Sequence, residues 1–296
     1  MIVTRFAPSP TGYLHIGHAF AAITAHDAAR GGRFLVRIED IDRTRCRPEF
    51  EAAIFEDLAW LGLDWERPSL RQSDRFDAYR AALARLEARH LLYPCFCTRA
   101  EIAAEVARAS EAPHNMSLGP EGPIYPGTCR HLSEDQRKAR IASGASYALR
   151  LDVAKAAGRM LELTFEEHGQ GPNGEHGTIA VDPLLFGDII LARKDTPTSY
   201  HLSVVVDDAF QGVTLITRGS DLFAAAHIQR LLQALLELPE PAYAHHKLVF
   251  DAQGKKFSKR DSSVTLRDLR AQGVTPQAIR AQLGLSANGP SHSSPP

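Results

Sequence analysis

The first forty residues leave the chain little choice of architecture. An apolar run from Ile2 to Phe6 is followed by a proline- and glycine-rich loop, Pro8-Ser-Pro-Thr-Gly12, and then by an alanine-rich stretch from Leu14 to Arg30 with helical spacing. Gly31-Gly32 stops that helix. A second apolar run, Phe34 to Ile38, leads into the charged turn Glu39-Asp-Ile-Asp-Arg43 and an amphipathic helix starting near Pro48. Strand, helix, strand, helix predicts a Rossmann-like, doubly wound parallel sheet, with ligands at the carboxyl ends of its strands.

The rhythm breaks between about 93 and 161, where cysteines, a Pro/Gly-rich stretch and a polar helix from Ser133 to Ser143 read as an inserted α/β subdomain. It resumes with strands at Asp188 to Arg193, Leu202 to Val206 and Val213 to Thr217 and a helix from Phe223 to Leu236. The expected division is therefore a first catalytic half (1–92), the insertion (93–161), a second half (162–236), a lysine-rich loop with a short helical segment (237–286), and a Ser/Pro-ended disordered tail (287–296).

Bulk properties exclude some classes. With 44% hydrophobic residues in 296, the chain can bury a large core, and a formal charge of −1 rules out a broadly basic nucleic-acid coat. No apolar run approaches the roughly 20 residues that span a bilayer, and the N-terminus has no signal pattern. A cytoplasmic monomer with reduced thiols and no membrane association is expected.

Two loops carry chemistry. His15 and His18, three apart, fall on one face of a helix's first turn, beside its free N–H groups, where a phosphate is welcome. Gly12 and Gly17 let the backbone approach a bulky ligand, and Pro8 and Thr11 complete the loop. Alone, His-x-x-His is more often a helix cap, and some small nucleotidyltransferases use it too. Far downstream, Lys255-Lys256-Phe257-Ser258-Lys259-Arg260 follows a glycine and could clamp a triphosphate, although alone it is usually a solvated turn.

Together these runs resemble the "HIGH" and "KMSKS" motifs of class I aminoacyl-tRNA synthetases. The match covers the chain up to about Arg260 and departs from the pattern mildly, at Phe257 and Arg260. The resemblance implies ATP as a substrate, contacted by Lys259, with Mg2+ on its phosphates. Four further runs, Arg5 to Gly12, Arg37 to Arg43, Tyr200 to Asp208 and Arg218 to Asp221, are similar to the glutamyl-tRNA synthetase family. That likeness implies an L-glutamate pocket made by Arg5, Phe6, Ala7, Pro8, Ser9, Glu39, Tyr200 and Arg218. Chemistry agrees in kind: two carboxylates call for separated guanidinium groups, and the ammonium calls for an acid. Any one of these residues alone would more often be a surface ion pair.

Cys95, Cys97 and Cys129 offer three thiolates, one short of a tetrahedral zinc site. Donor chemistry favours a histidine as the fourth ligand, His131 or His114. The pattern Cys-x-Cys followed by Tyr-x-x-x-Cys instead resembles the zinc site of the short members of the family, the glutamyl-queuosine tRNA(Asp) synthetases, which implies Tyr125. Three thiols without metal are the alternative, and Cys46 reads as a small buried residue. Only residues 261–296 follow Arg260, too few for the helical anticodon-binding domain of a full glutamyl-tRNA synthetase. The resemblance therefore implies transfer of glutamate to the queuosine at the wobble position of tRNA(Asp). A truncated enzyme charging tRNA(Glu) and a silent glutamate- or adenylate-binding paralogue are the rival readings. The second predicts damaged motifs, and none is damaged.

Overall fold

The computed structural model describes residues 1–110, 118–194, 196–249 and 264–286. The expected tail at 287–296 lies outside them. Strand β1 (Val3–Phe6) is buried at every position and runs into the loop ahead of helix α1 (Ile16–Ala28), which is followed by β2 (Arg33–Ile38), α2 (Pro48–Trp60) and β3 (Glu66–Arg71). The three strands pair in parallel in the order β1-β2-β3. Alanines at 19, 22 and 25 let α1 lie close to the sheet, and Gly32 is required where the chain turns back. A Cβ there would stand 2.1 Å from the Ile2 carbonyl oxygen.

Helix α3 (Phe76–Ala88) leads to β4 (Leu92–Cys95), α4 (Arg99–Ser110) and a two-residue hairpin, β5 (Leu118–Gly119) and β6 (Gly122–Pro123). Then come α5 (Glu134–Ala142), β7 (Ala148–Leu151), α6 (Val153–Ala157), β8 (Thr164–Glu167), β9 (Gly177–Ala180) and β10 (Ile190–Arg193). Strands β10, β7 and β4 form a separate antiparallel sheet. Asp188 fastens it, accepting hydrogen bonds from Tyr93 Oη (2.6 Å), Val153 N (3.0 Å) and Arg130 Nη1 (3.2 Å).

The chain returns through α7 (Tyr200–Gln211), β11 (Leu215–Gly219), α8 (Ala225–Leu235) and β12 (Ala242–His246), and the described part ends with α9 (Leu266–Ala271) and α10 (Pro276–Gln282). Strands β11, β12 and β8 are parallel, with β9 antiparallel at the edge. Thr214, just before β11, joins the two main sheets. Its N–H donates to the Val3 carbonyl (3.0 Å) and its hydroxyl accepts from Val3 N (2.9 Å).

One expected strand is a helix. The run Leu202 to Val206 lies within α7, capped by Ser199, whose hydroxyl accepts from Leu202 N, and ended by Gly212 in the left-handed region at φ 66°. Burial around nearly the whole turn erases the polar stripe that would reveal helical periodicity, so a β-branched run that reads as a buried strand folds as a buried helix.

Asp57, near the end of α2, is fully buried, and neither carboxylate oxygen has a hydrogen-bond partner among the described residues. Burial raises its pKa to about 6, against the opposing charge of Arg270. The folded state therefore holds this proton more tightly than the unfolded chain does, and stability falls as pH rises from about 4 to about 6. Asp57→Asn is expected to raise the melting temperature at pH 7.5, with the gain disappearing below pH 4. An equal gain at both pH values would show that its proton is not the cause.

Candidate active site

The loop after β1 brings both histidines to the start of α1 in a reciprocal arrangement. His15 Nδ1 accepts from Gly17 N (3.1 Å), and His18 Nδ1 accepts from His15 N (3.1 Å), with ring centroids 3.8 Å apart. The motif is thus a helix cap, and the capping fixes its chemistry. An accepting Nδ1 places the proton of a neutral ring on Nε2, so each imidazole keeps a donor suited to a phosphate oxygen. The same loop meets the C-terminal segment: His15 bridges to Thr265, and Leu266 N donates to the Leu14 carbonyl at 2.8 Å. Lys256, Phe257, Ser258, Lys259 and Arg260 lie outside the described residues, as does His114.

Beside this helix end lies a buried lattice of charge. Asp208 on α7 accepts from Arg5 Nε at 3.0 Å and from Arg37 Nη1 at 2.7 Å. Burial works to raise the Asp208 pKa, but the two guanidinium groups outweigh it and hold the carboxyl below its usual range. Arg37 Nη2 stands 3.5 Å from Glu39, whose pKa burial raises against the opposing pull of Arg37 and Arg5. A ligand ammonium beside Glu39 would favour its charged form. The adjacent Asp207 accepts from Tyr79 Oη (2.6 Å), Arg75 Nε (3.0 Å) and Gln72 Nε2 (3.1 Å), which ties α3 to α7.

Ser9, Thr11, Glu39 and Tyr200 line an open cavity of about 590 Å³, which runs between this lattice and the antiparallel sheet and is shared with Tyr125 and Arg150. Arg5 and Arg218 are buried and are not among its lining residues. The ring of Phe6 packs in the core with Leu14, Ile16 and Phe20, so only its backbone could meet a ligand. Pro8 accepts from Glu39 N at 3.0 Å, which stitches the first loop to the end of β2. Arg218 on β11 is linked to Arg5 through its neighbour Thr217, whose carbonyl accepts from Arg5 Nη1 at 3.4 Å.

Sequence reasoning missed several residues here. Asp207 and Asp208 close the run Tyr200 to Asp208, and adjacent acids ending an apolar stretch are the signal the sequence offers for them. His201, buried and 3.1 Å from Glu121 on the cavity wall, gave none.

The cysteine expectation has a compact counterpart. The sulfurs of Cys95, Cys97 and Cys129 all lie within 4.8 Å of one another, and Cys97 and Cys129 are 3.4 Å apart. Sulfurs on one tetrahedral zinc stand about 3.8 Å apart, so the three thiols fit such an ion without large movement. Tyr125 Oη is 3.5 Å from Cys97 Sγ and accepts from Cys129 N at 2.8 Å. His131 is exposed, and no histidine among the described residues joins the cluster. Cys46 is half-buried and outside it. Among the described residues no helix is long and apolar enough to cross a membrane.

The chain is similar to several known proteins. The family described as "tRNA synthetases class I (E and Q), catalytic domain" matches residues 1–293. The glutamyl-Q tRNA(Asp) synthetase of Rhodobacter capsulatus is 50% identical over 289 residues, covering 96% of this chain and 100% of that protein. The glutamate–tRNA ligase of Aquifex aeolicus is 37% identical over 282 residues, covering 94% of this chain and 55% of that one. The crystal structure of the glutamate-tRNA synthetase from Elizabethkingia anophelis superposes with a TM-score of 0.72 at 26% identity, over 88% of this chain and 53% of that one. The chain thus spans about half the length of the last two.

Proposed function

The chain belongs to the class I tRNA synthetases for glutamate and glutamine, by their catalytic domain, and on that premise we propose that it activates L-glutamate with ATP and transfers it to the queuosine at the wobble position of tRNA(Asp). The observation that carries this reading is the 50% identity over the whole length of the Rhodobacter capsulatus glutamyl-Q tRNA(Asp) synthetase.

In the first step the α-carboxylate of glutamate attacks the α-phosphorus of ATP, the bond to the β-phosphate breaks and pyrophosphate leaves. In the second, a hydroxyl of the queuosine cyclopentenediol attacks the carbonyl carbon of the mixed anhydride, loses its proton and expels AMP. His15 and His18 serve the first step by donating from Nε2 to phosphate oxygens at the N-terminus of α1, with Gly12, Gly17, Pro8 and Thr11 shaping the loop. Arg5 and Arg218 take the glutamate carboxylates, Glu39 its ammonium, and Ser9 and Tyr200 the cavity side of the substrate. Lys256 to Arg260 would hold the triphosphate by the family likeness, and Mg2+ would offset the charge of the leaving pyrophosphate.

Zinc on Cys95, Cys97, Cys129 and Tyr125 would fasten the end of β4 to the turn containing Cys129. Protein purified without chelators is expected to carry about one zinc per chain, and Cys129→Ser to lose it together with thermal stability. Elemental analysis that finds no zinc in the wild type ends this assignment.

The test of function offers labelled glutamate and ATP with queuosine-containing tRNA(Asp), queuosine-free tRNA(Asp) and tRNA(Glu) in parallel. Label only on the first, surviving periodate treatment of the 3′ end, is the expected result. Label on tRNA(Glu) would favour the ordinary glutamate–tRNA ligase reading, which the 37% identity to the Aquifex aeolicus protein keeps in play.

A further inference from the structure

Arg218 does not stand alone on its strand. Its backbone is in register with His245 on β12, and β12 pairs in turn with β8, which ends at Glu167. Glu167 pairs with Tyr243, two residues before His245, so three neighbouring parallel strands bring Arg218, His245 and Glu167 within reach of one another, and the three are hydrogen-bonded in series. Arg218 Nε donates to His245 Nε2 at 3.0 Å. Because Nε2 accepts, the imidazole proton is on Nδ1, and Nδ1 donates to Glu167 Oε2 at 2.5 Å. The second oxygen, Oε1, accepts from the backbone N–H of His245 (2.9 Å) and of Gly169 (2.8 Å). Only a glycine can stand at 169. A Cβ there would lie 2.2 Å from the His245 carbonyl oxygen and 2.7 Å from its nitrogen.

On its other side the guanidinium donates through Nη1 to Gln229 Oε1 (2.7 Å), and its Cζ lies 5.2 Å from the centroid of the Tyr243 ring. Nη2 is buried and has no hydrogen-bond partner among the described residues, and neither has the amide nitrogen of Gln229, whose oxygen accepts from Nη1. Two buried donors on hydrogen-bonded neighbours, both lacking an acceptor, suit the oxygens of a carboxylate. Burial, ahead of the nearby charge of Arg218, holds the His245 pKa below its usual value, which keeps the ring neutral and able to accept.

We propose that His245, oriented by Glu167, is a positioning residue for glutamate activation: it fixes the guanidinium of Arg218 so that Nη2 faces the substrate carboxylate. The inference rests on Arg218 being a carboxylate ligand. A neutral acceptor on Nε leaves the arginine its full charge for the substrate, whereas a carboxylate at the same place would offset it. Glu167 acts from one residue further away, and the acid and the arginine are kept apart by the width of one imidazole.

Initial rates of glutamate-dependent ATP–pyrophosphate exchange test this, with the KM for glutamate, the KM for ATP and kcat determined separately for wild type, His245→Ala, His245→Gln and Arg218→Ala. Loss of one hydrogen bond to a charged group should raise the KM for glutamate by about 10- to 100-fold in His245→Ala. The KM for ATP should change little, and His245→Gln, whose amide oxygen can accept, should recover most of the loss. If Arg218→Ala raises the KM for glutamate and His245→Ala does not, the positioning role is overturned while the pocket stands. If Arg218→Ala leaves it unchanged, the pocket assignment falls first and takes this inference with it. Imidazole nitrogen shifts of the wild-type protein, assigned against His245→Gln, provide a readout that needs no folded alanine variant. The Nδ1–H tautomer is expected at neutral pH, and the Nε2–H tautomer would overturn the proposal.

Discussion

Alanine at position 218 is expected to raise the KM for glutamate in ATP–pyrophosphate exchange by about 30-fold or more while the KM for ATP stays nearly constant. Arg218 is buried, its Nη2 lacks an acceptor among the described residues, and His245, Gln229 and the Tyr243 ring hold it in place. Removing it would leave a desolvated substrate carboxylate without its counter-charge, a loss of about 2–5 kcal/mol, and the lower figure alone is about 30-fold in affinity. Lysine would recover only part of the loss, because it supplies a point charge where the site has been built around a planar fork. A KM for glutamate within threefold of wild type in the alanine variant would remove Arg218 from the pocket.

Asp208→Ala should be the most destabilising single change near the site. One carboxylate answers two buried guanidinium groups, Arg5 and Arg37, and Arg37 has no exposed surface at all. Taking the acid away leaves two cations in the interior, and breaking a buried pair by deleting one partner costs about 3–5 kcal/mol. For a chain of this size that corresponds to a fall of roughly 10 °C in melting temperature. Asp208→Asn, which keeps an acceptor and loses the charge, should fall in between. A melting curve for the alanine variant that overlays the wild type would show that solvent or a rearranged Glu39 already balances the arginines.

What could be read from the sequence was local. The strand and loop punctuation from Ile2 to Pro48 placed Arg5 within β1, Glu39 just past β2 and both histidines on the first turn of α1, because each depends on neighbours a few residues away. The cysteine pattern was legible for the same reason, since Cys95 and Cys97 are two apart and Tyr125 and Cys129 are four apart. The arrangement that gives these residues their properties was not. Arg5 meets Asp208 across 203 positions and Arg37 meets it across 171, and no periodicity encodes a pairing at that range. Glu167 and His245 are unremarkable as single letters, and only the strand order β11-β12-β8 brings them to Arg218. The misreading of Leu202 to Val206 has a related cause. Packed on nearly every side, α7 shows no polar face, and its caps, Ser199 and Gly212, were the better guide.

The contact between Leu14-His15 and Thr265-Leu266 ties the start of α9 to the histidine loop. Strand β12 ends at His246, whose ring packs against Phe20 of α1. Strand β12 and the segment that opens α9 are thus both fastened to the histidine helix, so a substitution that loosens either contact would disturb the reciprocal capping of His15 and His18 without touching either ring.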